Sequence, residues 1–415
     1  MKYLFLYLLF FPWSSASSQT LKRTANWMED ISYFDNQLRS NHKNLFHHVQ
    51  EAVYNKSVND LKSKIDSLSD FDIVVGLSKI SATIGDSHTF LHPEGATQNF
   101  VPLIISMFED GFYVIRAKPA YKKLVQGRLI RVNDNPVDEV YKLIRLTISA
   151  DLENEMSYKF LVTSRLTSAD LLLSLGIIND VSKFTVTILT DNGKEETVDV
   201  SAVIKEDYVK DDWVLVLAEN EQDRALAYQH NQENYWQTFL PVSQAAYCQY
   251  NKCENGKDQS IKSFFNDFFE TVSKQSVKKI ILDLRRNTGG NEKLNWPIIS
   301  GLKELLARHS AIKVIVLMGR ATHSAACNLL LDLEKQKIPV TTIGETGRSK
   351  PNFYSENHFY TLPHSKIRGS VSSLFRKDSF DGDERLRIEP DISVPVRFSD
   401  YASGKDAVME KALRI

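Results

Sequence analysis

Cysteine is scarce in this chain. Cys248, Cys253 and Cys327 are the three present among 415 residues, an odd set that excludes a fully paired disulfide framework and leaves the fold to a packed core. A bridge between Cys248 and Cys253 is disfavoured, because alternation along the strand-like segment 246–253 would point their side chains to opposite faces. Cys327 reads as a small buried apolar residue. Charge of one sign is also lacking: 51 Lys and Arg against 52 Asp and Glu give a net charge of −1. No basic run alternates with aromatics, so neither nucleic acid nor an anionic membrane surface is expected as a partner. The apolar run at 3–13 falls short of the ~20 residues a membrane-spanning helix needs. Internal repeats and low-complexity tracts are missing. His88 and His92 lie four apart, but Pro93 breaks any helix there and no glutamate follows His88, which excludes a helical zinc motif. Gly289-Gly290 lacks the Lys-Ser/Thr ending of a phosphate loop, which argues against a nucleotide site.

What is present is an ordinary globular composition, 42% hydrophobic and 25% charged, over a length that accommodates two or three domains. Lys2, the apolar run at 3–13 and the small residues Ser14-Ser15-Ala16-Ser17-Ser18 read as an export signal over 1–18, implying a periplasmic or extracellular mature protein. Apolar residues then recur at helical spacing through Trp27, Ile31, Phe34 and Leu38, through Leu61, Ile65 and Leu68, and through Ile73, Val74, Leu77 and Ile80. This pattern predicts a helical N-terminal domain over 19–95. Short β-like runs at 102–108, 112–115, 128–132 and 184–189 follow. Turn signals at Asn133-Asp134-Asn135-Pro136 and Asp191-Asn192-Gly193 separate them, predicting a β-rich domain over 96–204. From 205 to 415, strands at 279–284, 312–318 and 340–343 alternate with helices at 264–272, 294–307 and 324–333, the pattern of a mainly parallel α/β sheet with right-handed crossovers.

The chemistry lies at the carboxyl ends of those strands, where such sheets bind ligands. Asp283-Leu284-Arg285-Arg286-Asn287-Thr288-Gly289-Gly290 leads from a buried strand into a glycine pair whose bare N–H groups can approach a ligand closely. Thr322-His323-Ser324-Ala325-Ala326 leads from the next strand into a helix, with Ser324 at the helix start, where N–H groups and the dipole favour a developing negative charge. A serine at a helix start is ordinarily an N-cap. The neighbouring glycine loop turns the reading toward a nucleophile with an oxyanion hole.

These segments, with Ile343-Gly344-Glu345 and Glu389-Pro390-Asp391-Ile392 in the same order, resemble the C-terminal processing (tail-specific) serine peptidase family, in its secreted bacterial branch with some tricorn-like features. Gly85-Asp86-Ser87-His88-Thr89 matches that family's N-terminal helical segment. The stretch 124–137, around Gly127-Arg128-Leu129-Ile130, with a helix at 137–146, resembles the core of a PDZ domain, a module that captures extended peptides at a sheet edge. The resemblance implies a helical N-terminal domain, a PDZ-like domain and an α/β catalytic domain of the Clp protease/crotonase type. It implies Ser324 as nucleophile and Ala325 with Gly289 or Gly290 as oxyanion hole, needing no metal or organic cofactor. Two bases remain open. Lys350, in Arg348-Ser349-Lys350-Pro351-Asn352, would have to be desolvated to act while neutral. His88 would need less adjustment and would be oriented by Glu384 in a tricorn-like arrangement. The implied activity is hydrolysis of unfolded or C-terminally exposed polypeptides, against the alternative of a non-catalytic peptide-binding scaffold on the same fold.

Overall fold

A computed structural model of the chain describes residues 14–377 and 379–415. The apolar run of the expected export signal lies outside them. Among the described residues, no helix is long and apolar enough to cross a membrane.

The architecture is mixed α+β, with a helical N-terminal part followed by sheets. Helices Ser14–Asn41, Glu51–Ser63 and Asp70–Ala82 bury Ile31, Phe34, Leu38, Tyr54 and Leu77 against one another, as the helical spacing requires. The third helix starts where the Ser69 hydroxyl accepts the Asp72 N–H and the Asp72 carboxylate accepts the Ser69 N–H, a reciprocal cap that satisfies two orphaned donors. This part is not closed by local chain alone. A hairpin of Asn352–Thr361 and Arg368–Lys377 pairs with Phe90–Leu91 and sends Tyr360, Leu362 and Val371 into the helical core.

The middle of the chain is an antiparallel sheet built from Leu103–Phe108, Gly111–Ala117, Arg128–Val132, Phe184–Leu189 and Glu195–Val200. Helix Val137–Arg145 covers it with Val140 and Ile144. Two further helices, Glu155–Arg165 and Ala169–Ser174, stand in a stretch to which the sequence pattern assigns no element. Asn154 and Ser168 cap them by accepting the Met156 and Leu171 N–H groups, and Tyr158, Val162, Leu166 and Leu172 join the core of the sheet.

The C-terminal sheet has the order Tyr235–Leu240, Ala245–Tyr250, Lys279–Asp283, Lys313–Met318, Val340–Gly344, Ile392–Ser393, parallel throughout except for the first pair. Ile280, Leu282, Val314 and Val316 meet helices Ile261–Lys274, Trp296–Arg308 and Ala325–Lys335, while Ile281, Ile315, Leu317 and Ile343 meet Val408 and Met409 of helix Ala407–Arg414. Covering both faces is what makes these strands read as continuous apolar runs. Arg285 ties the sheet to the last helix, binding the Asp283 carboxylate and both oxygens of Asp406 at 2.7 and 2.8 Å. The three cysteines are free and buried.

Candidate active site

Strands Lys279–Asp283 and Lys313–Met318 are adjacent and parallel, so the loops leaving their carboxyl ends emerge side by side. Thr322 fastens them: its hydroxyl donates to Leu284 O at 2.8 Å and accepts the Gly319 N–H at 2.9 Å. The His323 N–H adds a bond to Asn287 O at 3.1 Å. Ser324 follows with φ 51° and ψ −123°, a conformation that costs a non-glycine residue on the order of 1–3 kcal/mol. Its N–H is held by Ser349 Oγ at 2.9 Å. Its own hydroxyl makes no capping bond to helix Ala325–Lys335 and instead lies 3.1 Å from His88 Nε2.

The glycine pair is fixed by space. Gly289 has φ 100°, and a Cβ there would stand 2.8 Å from Ser324 Cβ and 2.9 Å from His323 O; at Gly290, φ 137°, it would meet Cys253 O at 2.5 Å. The Gly289 N–H donates to Asn287 Oδ1 at 2.9 Å and is therefore engaged. The Gly290 and Ala325 N–H groups take no partner among the described residues. Both residues line a cavity of about 430 Å³ together with Ser324 and His88. Two free backbone donors beside a serine hydroxyl are suited to an oxygen that gains negative charge.

His88 is buried, and the structure fixes it from several sides. Asp86 Oδ1 accepts the His88 and Thr89 N–H groups at 2.9 and 2.7 Å and the Ser372 hydroxyl at 2.7 Å, while Asp86 Oδ2 meets His42 Nε2 at 2.9 Å. The imidazole stacks between His323 and Phe353, with ring centroids 4.9 and 5.4 Å away. Its Nδ1 faces Ser87 Oγ at 3.2 Å, and the same hydroxyl is 3.2 Å from His323 Nε2. For His88 Nε2 to accept from Ser324, the ring proton must sit on Nδ1, where Ser87 Oγ can receive it as a hydrogen bond. Burial is the chief cause that lowers the His88 pKa to about 4, opposed by the charge of Asp86. The ring is thus neutral near pH 7. Burial, followed by the nearby Arg348 charge, drives His323 well below its ordinary range as well.

The other candidates lie elsewhere. Lys350 and Glu384 line a separate cavity with Phe380, Asp381 and Asp383, and neither side chain bonds Ser324 or His88 among the described residues. Lys350 contributes its backbone, donating N–H to Asp151 Oδ2 at 3.2 Å. His92 turns away from His88, its Nδ1 meeting Arg165 Nη2 at 2.9 Å. Across the Ser324 cavity, Arg376 pairs with Glu292 and with Glu356 at 2.7 Å, and Asn328 Nδ2 donates to Glu292 at 2.7 Å, giving a polar, charged wall. Among the described residues, no group of three or more His, Cys, Asp or Glu is placed to hold a metal ion. Ser87, Asn287 and Ser349 were not singled out from sequence as site residues. Each lies inside a quoted motif, and that adjacency was the available signal.

No protein-family model matches the sequence, and no curated protein matches it either. Solved structures do. Mature CPAF complexed with lactacystin aligns with TM-score 0.64 and 12% identity, over 95% of this chain and 97% of that one. A second structure of mature CPAF gives TM-score 0.64 and 12% identity, over 95% and 96%. The photosystem II D1 C-terminal processing protease aligns at TM-score 0.40 and 15% identity, over 93% and 98%. The chain therefore shares the CPAF fold over nearly the whole length of both proteins.

Proposed function

We propose that this chain is an exported serine endopeptidase in which Ser324 is the nucleophile and His88 the base. The observation that carries the reading is the Ser324 hydroxyl 3.1 Å from His88 Nε2, beside the free N–H groups of Gly290 and Ala325. In the reaction, Ser324 Oγ adds to the peptide carbonyl carbon while its proton passes to His88 Nε2. The carbonyl oxygen becomes an oxyanion received by the two N–H groups. His88 then gives the proton to the departing amine as the C–N bond breaks, leaving an acyl-enzyme. Water gives a proton to His88 as it adds to the ester carbonyl, and that proton passes to Ser324 Oγ as the C–O bond breaks and the acid product leaves. The lowered pKa of His88 leaves the ring unprotonated near pH 7 but weakens it as a base, and the Asp86 carboxylate, which raises that pKa, restores part of the basicity as the imidazolium forms.

Of the two bases open from sequence, His88 is favoured because it alone reaches the serine. Glu384 is then left without a role at the histidine. The substrates are unfolded or C-terminally exposed polypeptides, for which the middle module, with its PDZ-like segment at 124–146, offers a capturing sheet. Export rests on the residue pattern at 1–18. The CPAF neighbour's complex with lactacystin makes that compound a candidate ligand of the Ser324 cavity. The test is mass spectrometry of an unfolded protein incubated with the chain from Thr20 onward, beside Ser324→Ala and Lys350→Ala. Cleavage by the parent and by Lys350→Ala, and none by Ser324→Ala, is expected. Equal cleavage by parent and Ser324→Ala removes the serine assignment, and no cleavage by any form returns the chain to the peptide-binding reading.

A further inference from the structure

We infer that Asp151, carried by the middle module, is a positioning residue that holds the loop of the base and the loop of the nucleophile in one register. The inference rests on the peptidase reading above. Asp151 is 2% exposed. Its Oδ1 accepts the Ser87 N–H at 3.0 Å and its Oδ2 accepts the Lys350 N–H at 3.2 Å. Ser87 immediately precedes His88, and Lys350 immediately follows Ser349, whose hydroxyl holds the Ser324 N–H. One carboxylate thus binds the residue next to the base and the residue next to the anchor of the nucleophile.

The same stretch of the middle module grips the second loop twice more. Asn154 Nδ2 donates to Gly347 O at 2.9 Å, and the Arg348 guanidinium lies over the Phe160 ring at 4.4 Å. Between those contacts the 347–350 loop has little freedom to shift against residue 151. The chemistry calls for a carboxylate. Two converging backbone N–H groups need two acceptor oxygens, and an amide offers one acceptor while its NH₂ opposes the other donor. By holding the Ser87 N–H, Asp151 also fixes where the Ser87 hydroxyl stands, 3.2 Å from His88 Nδ1. A hydroxyl oxygen there can receive His88 Nδ1–H, the tautomer whose Nε2 can take the Ser324 proton. A buried carboxylate is costly unless its bonds are made. This one makes them all to the two loops of the site.

Titration supplies a readout that packing would not move. Burial, and then the charge of Asp86, push Asp151 up to about 6, against the bonds from Lys350 and Ser87. The other titratable or charged groups that feel it are Arg348, Cys327 and Tyr158. His88 stays neutral down to about 4. Between those values Asp151 gains a proton, one of its oxygens turns donor toward an N–H, and the register loosens while the base is still able to act.

The experiment measures kcat and KM of the mature chain on dye-quenched casein from pH 4 to 8, for parent, Asp151→Asn and Ser324→Ala. Active sites are counted by a fluorophosphonate. Parent kcat should fall as pH drops through about 6. At pH 7 Asp151→Asn should lose roughly tenfold to 100-fold in kcat per labelled site with KM kept, the scale of a displaced catalytic group, and its acid limb should move down toward that of His88. Parental kcat per site in Asp151→Asn, or an acid limb unchanged by the substitution, overturns the inference. If that variant does not fold, a parent limb near 4 without one near 6 overturns it. An active parent with an inactive Ser324→Ala leaves the peptidase reading standing whatever Asp151→Asn does, so the two claims fail separately.

Discussion

At the scale of the residue, Ser324 and His88 can be read with different ease. Ser324 stands out in the sequence as a candidate nucleophile because its loop and the Gly289-Gly290 loop both follow strand ends. Which base serves it was not, since Lys350 and His88 each sit in a matching motif and only tertiary geometry separates them. His88→Ala should lower kcat on the order of 10³-fold with little change in KM, whereas Lys350→Ala should stay near parental; the reverse pattern in steady-state kinetics would move the base to the lysine. Gly289 carries a second residue-scale prediction. An alanine there would be strained at φ 100° and its Cβ would press on Ser324 and on backbone. Gly289→Ala should therefore abolish fluorophosphonate labelling and destabilise the fold by about 1–3 kcal/mol, read by urea unfolding. The Ser87 and Asp151 contacts were illegible for a plain reason: an isolated acid or hydroxyl has no periodicity, and its meaning comes from what the fold brings against it.

At the scale of the element, the parallel strands were the most readable, because burial on both faces leaves uninterrupted apolar runs such as Ile280-Ile281-Leu282. Helices Glu155–Arg165 and Ala169–Ser174 were missed because they are short and their apolar positions serve a sheet core formed by other segments. The hairpin at 352–377 could not be assigned from local pattern to the helical part it completes. Within it, Tyr360 is buried with a hydroxyl that finds no partner among the described residues, so Tyr360→Phe should be neutral or stabilise slightly, because it deletes an unsatisfied polar atom while keeping the ring. Arg285 is the opposite case. It pairs with the buried Asp283 and the half-buried Asp406 between sheet and final helix, and Arg285→Ala should cost about 3–5 kcal/mol by leaving both carboxylates without their cation. Urea unfolding of the two variants beside the parent checks both.

For the whole molecule, the site is a joint product of segments far apart in sequence. His88 comes from the end of the helical part, Ser324 and the glycine loop from the α/β sheet, and Asp151 from the middle module. The hairpin links the first two through Tyr360 and Val371 in the core and Ser372 on Asp86. Domain boundaries read at composition shifts could not reveal this sharing. The helical part and the α/β sheet should accordingly unfold together in calorimetry of the Ser324→Ala form, and two resolved transitions would contradict the shared core.

A Ser324 nucleophile served by His88 is tested most directly by labelling the folded chain with a fluorophosphonate at neutral pH, with the modified residue located by peptide mapping. The expected result is a single phosphonylated serine at Ser324, formed fast in the parent and in Lys350→Ala and slowed at least ~100-fold in His88→Ala, as loss of a general base requires. Labelling elsewhere, or labelling of Ser324 that needs Lys350 and ignores His88, would contradict it.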